Sequence, residues 1–186
     1  VRRLSSATAP VIVSAGPNQS LPEFSGDVIV ARDPEAGLGP LQGFAVGLAA
    51  IPKPTDLVYL TAVDAPFFID AWLDLLIEQI GDHDAAFAVV DDLPRPISAL
   101  FRVSAAETAA ASLLASGVRR LASVLTAVRS KPIPETMLRR VDPDLRTLLN
   151  INTPDDYEHA QELLSPGPAN PPNDHDFPVT RRRPNV

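Results

Sequence analysis

Two aspartates stand where an apolar run gives way to a turn. Asp33 follows Val28-Ile29-Val30-Ala31-Arg32, and Asp64 follows Leu57-Val58-Tyr59-Leu60 through Thr61-Ala62-Val63, just ahead of Ala65-Pro66-Phe67. A carboxylate is costly in an apolar interior, so each is expected at the rim of the core, facing a crevice. In open α/β sheets that rim, at the carboxyl ends of strands, is where ligands gather. Mg2+ suits such a site, because it takes one or two carboxylates together with substrate phosphates and water. An Asp that only caps a turn would occupy the same place. Between the two acids, Gly37-Leu38-Gly39-Pro40-Leu41-Gln42-Gly43 joins a strand to a helix, with glycines that permit close backbone approach. Free N–H groups at that helix start would favour an anion, whereas a tight connection needs no ligand. The segment is neither a Walker A loop nor a Rossmann fingerprint. His83, His159 and His175 show no spacing for a metal cluster or a catalytic triad.

The elements that must position these residues follow from periodicity. Val11-Ile12-Val13, Val28-Ile29-Val30, Leu57 to Leu60 and Ala86 to Val90 are short continuous apolar runs, the pattern of parallel strands covered on both faces. Ile69 to Ile80 repeats apolar residues at three-and-four spacing, with acids opposite, and predicts an amphipathic helix. Leu41 to Ile51 predicts another, opened by Pro40 and closed by Pro52. Alternating strand and helix imply an α/β fold, a three-layer, doubly wound and mostly parallel sheet. Further on, a strand is expected over Ser98 to Val103, helices over Ser104 to Leu114 and Arg119 to Val128, and an extended, Pro-interrupted stretch over Lys131 to Val141. A closing helix runs from Pro154 to Leu164, with Thr153 as its cap. Phe67, Phe68 and Trp72 are expected in the core.

Composition sets the outer bounds. The chain has 186 residues, 45% hydrophobic and 21% charged, as in a globular protein. No apolar stretch approaches the roughly 20 residues that cross a bilayer, so no membrane segment is expected. A net charge of −7 disfavours nucleic acid as a partner. The absence of Cys excludes disulfides, thiolate zinc sites and thiol nucleophiles, and favours a reducing compartment such as the cytoplasm. Residues 165–186 hold six of the 20 prolines and, besides the terminal Val186, only Phe177 and Val179 as sizeable apolar groups, so this stretch is expected to be a disordered tail behind one domain over residues 1–164. Val1-Arg2-Arg3-Leu4-Ser5-Ser6 has neither an initiator Met nor the apolar core of a secretory signal, and reads as mid-protein sequence.

Five short motifs, in order, carry a resemblance. They are Asp33 with Gly39-Pro40-Leu41-Gln42-Gly43, then Val63-Asp64-Ala65-Pro66-Phe67, then Arg95-Pro96-Ile97-Ser98-Ala99-Leu100. Gly117-Val118-Arg119-Arg120-Leu121 and Leu149-Asn150-Ile151-Asn152-Thr153-Pro154-Asp155-Asp156 complete the set. From Pro10 to Leu164 the chain resembles the molybdenum cofactor guanylyltransferases, within the nucleotidyltransferases of glycosyltransferase-A-like fold. The resemblance implies Mg2+-dependent transfer of GMP from GTP to the molybdopterin cofactor, with release of pyrophosphate. It makes Asp64 the catalytic, Mg2+-binding and GTP-contacting acid and Asp33 a second GTP contact. Gly39, Pro40 and Ser14 fall at nucleotide-facing positions. Asn150, Asn152, Arg95, Ser98, Arg119 and Arg120 fall on the acceptor side, where amides suit a pterin edge and guanidinium groups a phosphate. Molybdoenzymes or proteins of cofactor biosynthesis are the implied protein partners.

The chain departs from that pattern in two places. The family opens with a strand, a Gly-rich loop ending in Arg-Met-Gly with a following Lys, and a helix; this first strand-loop-helix unit is missing here, which implies reduced or absent activity for the chain as given. Where the family often places an Asn after the second strand, this chain has Ser14-Ala15-Gly16-Pro17, which leaves GTP against CTP open. A cytidylyltransferase or another nucleotidyltransferase is therefore one alternative. A non-catalytic protein that binds pterin or a partner is the other.

Overall fold

The computed structural model describes Val1 and residues 3–164. The chain divides into a compact unit, Val1–Asn150, and a second unit beginning at Ile151. The expected tail, residues 165–186, lies outside the described residues.

The two β-branched runs near the N-terminus form β1 (Val11–Ala15) and β2 (Val28–Arg32), paired in parallel from Val11 opposite Val28 to Ala15 opposite Arg32. The Asp33 N–H extends the ladder by donating to the Ala15 carbonyl at 2.9 Å. Helix α1 (Pro40–Ala49) starts with proline in its first turn and buries Leu41, Phe44 and Leu48, the spacing of one helical face. It lies close on β1: a Cβ on Gly47 would stand 2.8 Å from the Ser14 hydroxyl.

A second sheet has the order β3-β5-β4-β6. Its strands are β3 (Leu57–Leu60), β4 (Ala85–Val90), β5 (Leu93–Arg102) and β6 (Ser130–Pro134). β4 and β6 are parallel, whereas β5 runs antiparallel to both β3 and β4. The β4–β5 hairpin turns through Asp91 and Asp92, whose φ angles of 52° and 59° are those of a type I′ turn. Helix α2 (Asp70–Ile80) lays Trp72, Leu76 and Ile80 on one face, against Ala86, Ala88, Leu100 and Ile133. The other face packs Ala85, Ala99 and Phe101 against α1, α3 (Val103–Ala115) and α4 (Ser123–Ala127). Three layers result, and Phe67, Phe68 and Trp72 are buried.

The α/β class thus holds, with mixed strand directions and the hydrogen bonding divided between two sheets. Three expected elements shift. The strand expected from Ser98 begins at Leu93, because the tight Asp91-Asp92 turn brings the chain straight back onto β4. The helix expected from Arg119 is confined to Ser123–Ala127, since the Arg119 carbonyl accepts the α1 Leu41 N–H at 3.3 Å. The extended stretch expected over Lys131 to Val141 is β6 followed by α5 (Glu135–Leu138), where Glu135 and Arg139 pair one turn apart.

In the second unit, α6 (Pro154–Leu164) is closed at its start by a reciprocal cap. The Asp156 N–H donates to the Thr153 hydroxyl at 3.1 Å, and the Asp156 carboxylate accepts the Asn152 and Thr153 N–H groups, each at 2.9 Å.

Candidate functional site

Asp33 leaves the carboxyl end of β2 half-buried, with one carboxylate oxygen, Oδ1, buried and without a hydrogen-bond partner among the described residues. It lies beside the first turn of α1, about where a Cβ on Gly43 would approach it at 4.0 Å. Asp64 stands in the turn after β3, and its Oδ1 is likewise buried and unpartnered. Ala65, Phe67 and Phe68 pin the turn to the core, while Val63, at 100% exposure, marks its tip. A buried anionic oxygen without a donor is costly, and a cation or a hydroxyl-bearing ligand would relieve it. Among the described residues no three His, Asp or Glu side chains gather as a metal cage. Single carboxylates such as these are the hard oxygen donors that Mg2+ accepts alongside phosphate and water.

The start of α1 is a tight connection, the one of the two readings that needs no ligand. Pro40 has no N–H, the Leu41 N–H donates to the Arg119 carbonyl, and those of Gln42 and Gly43 turn back to the Gly39 carbonyl. Gly39 is held at φ 87°, and a Cβ there would sit 3.3 Å from the Arg119 carbonyl oxygen, so glycine is needed for that contact. Gly39, Pro40 and Arg119 are thereby brought together at the α1 start, and the Arg119 and Arg120 side chains are exposed. Ser14 sits across from them with its hydroxyl engaged, donating to the Gly43 carbonyl at 2.7 Å.

Ser98 is buried at φ 75°, and its carbonyl accepts the Trp72 indole N–H at 3.5 Å. Three residues earlier on β5, Arg95 has its Nε buried and unpartnered. The residue that sequence reasoning missed here is Tyr59. Its hydroxyl is buried without a hydrogen bond of normal geometry, and burial pushes its pKa up to about 12, against the opposing effect of the nearby Ser98 and Thr61 hydroxyls. Its setting in an apolar strand run gave no signal. Asn150 is exposed at the end of the first unit, and Asn152 is exposed in the second. His83 sits in the α2–β4 turn near the Ile80 carbonyl, and His159 is exposed on α6.

Comparison with known proteins gives this geometry its setting. Residues 1–149 match the MobA-like NTP transferase domain. A protein of Chloroflexus aggregans named probable molybdenum cofactor guanylyltransferase is 35% identical over 139 residues, which cover 73% of this chain and 65% of that protein. The crystal structure of molybdopterin-guanine dinucleotide biosynthesis protein A from Archaeoglobus fulgidus superposes with a TM-score of 0.61 at 26% identity, covering 73% of this chain and 67% of that one. The 2-C-methyl-D-erythritol 4-phosphate cytidylyltransferase of Thermus thermophilus shares the fold at a TM-score of 0.67 and 17% identity, over 87% of this chain and 85% of that one. With a family model spanning four fifths of the residues and two acids at strand ends, this chain belongs to the MobA-like NTP transferase family.

Proposed function

We propose that this chain carries nucleotidyl transfer from GTP to the molybdopterin cofactor, releasing pyrophosphate. The observation that carries the reading is the pair of strand-end carboxylates, Asp33 and Asp64, each with a buried oxygen that has no hydrogen-bond partner among the described residues. The names of the relatives supply the substrates. Asp64 would anchor Mg2+, which when bound neutralises charge on the triphosphate and polarises the transferred phosphoryl group. Asp33 would accept hydrogen bonds from a ribose or base donor, and the exposed Arg119 and Arg120 side chains would balance acceptor phosphate charge. Arg95, Ser98 and Asn150 would line the acceptor side. Ser14, whose hydroxyl is taken by the Gly43 carbonyl, contributes position to α1 rather than base recognition. The setting of the reaction is the cytoplasm; among the described residues no helix is long and apolar enough to cross a membrane.

The test is pyrophosphate release from GTP in the presence of molybdopterin cofactor and Mg2+, by the chain preceded by the first strand-loop-helix unit of a relative, and by the same protein carrying Asp64→Asn. Loss of about a hundredfold is expected for the variant with an unchanged melting point, the size of effect that follows removal of a group stabilising transition-state charge. Parent-like turnover by Asp64→Asn would end the assignment, and faster release from CTP would move the reading to a cytidylyltransferase.

A further inference from the structure

β5 does not pair evenly with its neighbours. Ala86 of β4 stands opposite Leu100 and Ala88 opposite Arg95, so Phe87 alone faces Pro96, Ile97, Ser98 and Ala99. The excess forms a bulge, a device that interrupts pairing and re-aims side chains. On the other side of β5, Ala99 is opposite Leu60, the last residue of β3, so the bulge lies where the chain leaves the sheet for the Asp64 turn. Ser98 has a φ of 75°, a conformation that a residue with a side chain keeps only where its surroundings impose it. Buried Trp72 holds it there, donating its indole N–H to the Ser98 carbonyl at 3.5 Å.

The polar groups around this bulge share one face of the sheet. Tyr59 is opposite Leu100 and Arg95 is opposite Ala88; Leu100 and Ala88 both belong to the Trp72 cluster, and directly opposed residues point the same way. The Tyr59 ring is fixed against Phe68, with centroids 5.4 Å apart, and its hydroxyl lies close to those of Ser98 and Thr61. Thr61 is two positions beyond Tyr59, as Ala88 is two beyond Ala86, so Thr61 and Arg95 stand at about one level. Their hydrogen bonding is unfinished. The Tyr59 hydroxyl and the Arg95 Nε are buried, and neither has a hydrogen-bond partner among the described residues. The Asp64 Oδ1 is unpartnered as well, so the Arg95 Nε is not spent on it. A guanidinium keeps its proton and can only donate, so a buried N–H without an acceptor is costly. Tyr59, Thr61 and Arg95 are each half-buried, which brings the cluster to the surface.

We propose that Tyr59, Thr61, Ser98 and Arg95 form a subsite for a terminal phosphate group. A phosphate dianion brings acceptor oxygens to a set made of one permanent cation and three hydroxyls free to donate. A cation would be repelled by the guanidinium, and a neutral ligand would leave its charge uncompensated. The same chemistry serves free orthophosphate and the phosphate monoester end of a larger molecule. In the second case the group would be that of the acceptor, a refinement that rests on the nucleotidyl-transfer reading above; the phosphate site itself does not.

Trp72 is the only tryptophan of the chain and its indole N–H ends on the Ser98 carbonyl, so one NMR signal reports the site. The full chain, without Mg2+ or nucleotide, is titrated with inorganic phosphate and with glycerol 3-phosphate at constant ionic strength. The Trp72 signal should move saturably, with a midpoint on the order of 1 mM. Arg95→Gln should raise that midpoint about tenfold or more and Tyr59→Phe about fivefold, the second without a lower melting point, since it removes a buried hydroxyl that has no partner. Lys53→Gln, which removes an exposed cation ahead of the opposite end of β3, should leave the midpoint in place. Tighter binding of glycerol 3-phosphate assigns the site to the phosphate of a substrate, and tighter binding of inorganic phosphate to the free ion. No saturable movement at about 50 mM of either, or a midpoint that Arg95→Gln leaves unchanged, would overturn the proposal. No turnover is involved, so the phosphate site can fail while nucleotidyl transfer stands, and stand where transfer fails.

Discussion

Two pairs of aspartates in the first unit live under opposite conditions. Asp142, 2% exposed, accepts the backbone N–H groups of Arg146 at 3.0 Å and Thr147 at 2.8 Å. Asp84, at the start of β4, accepts the backbone N–H of Arg129 at 3.1 Å and its Nε at 3.3 Å, and that side-chain hydrogen bond leads the causes holding its carboxyl below the ordinary value. These acids are completed by their own chain and fix local geometry. Asp33 and Asp64 each keep a buried oxygen for which no described residue supplies a donor. Burial alone does not separate the pairs; the source of the hydrogen-bond donors does. An acid whose donors are built in is part of the scaffold, and one whose donors must come from outside is a candidate for chemistry.

The largest difference should appear when each acid is converted to its amide. Asp142→Asn replaces one accepting oxygen with a donor facing a backbone N–H, and should cost about 1 to 3 kcal/mol of stability. Asp33→Asn and Asp64→Asn remove a buried anionic oxygen that has no partner, and should stay within about 0.5 kcal/mol of the parent or gain. Urea denaturation of the three variants measures this directly. A loss at Asp64 equal to that at Asp142 would erase the distinction and return Asp64 to the scaffold.

The positions of Asp33 and Asp64 were legible in the sequence because an acid at the end of an apolar run has few places to go. Helices α1, α2 and α6 were legible for the same kind of reason, from period and proline. The pairing of strands was not, since an apolar run states that a strand is covered but not by which neighbour; hence the two sheets and the antiparallel β5. The β4–β5 hairpin escaped notice because its type I′ turn is built from Asp91-Asp92 without the usual glycine. The satisfied start of α1 depends on the Arg119 carbonyl, a contact 78 positions away that no local pattern encodes. Asp142 was equally silent, because its donors are backbone groups that every residue has.

A smaller effect separates the two scaffold acids. The Arg129 side chain is 66% exposed and that of Asp84 22%, so solvent screens most of their attraction. Asp84→Asn should lower the melting point by no more than about 3 °C, and the difference from the parent should shrink in 1 M salt. Because the folded carboxyl titrates below its ordinary 3.8, this contribution is present in full above that value and is lost as pH falls through the depressed one. Thermal scans at two salt concentrations check it; a salt-independent loss would place the effect in the backbone hydrogen bond to Arg129 instead.

The smallest expected effect concerns Asp156, a scaffold acid of the second unit. The Asn152 N–H is the leading cause that holds its carboxyl below 3.8, followed by the Thr153 hydroxyl and then the Thr153 N–H. The folded value lies under the unfolded one, so the cap stabilises α6 fully above pH 3.8, fades as pH falls, and is gone once Asp156 is protonated in the folded state too. An NMR titration should therefore give Asp156 a midpoint under 3.8, with the amide protons of Asn152 and Thr153 moving at the same midpoint. Thr153→Ala removes the hydroxyl and leaves the two N–H donors, so the midpoint should rise part of the way toward 3.8 and helicity over residues 154–164 should fall slightly at neutral pH. A midpoint at or above 3.8 in the parent would mean that these donors do not hold the carboxylate in solution, and that α6 begins without the cap.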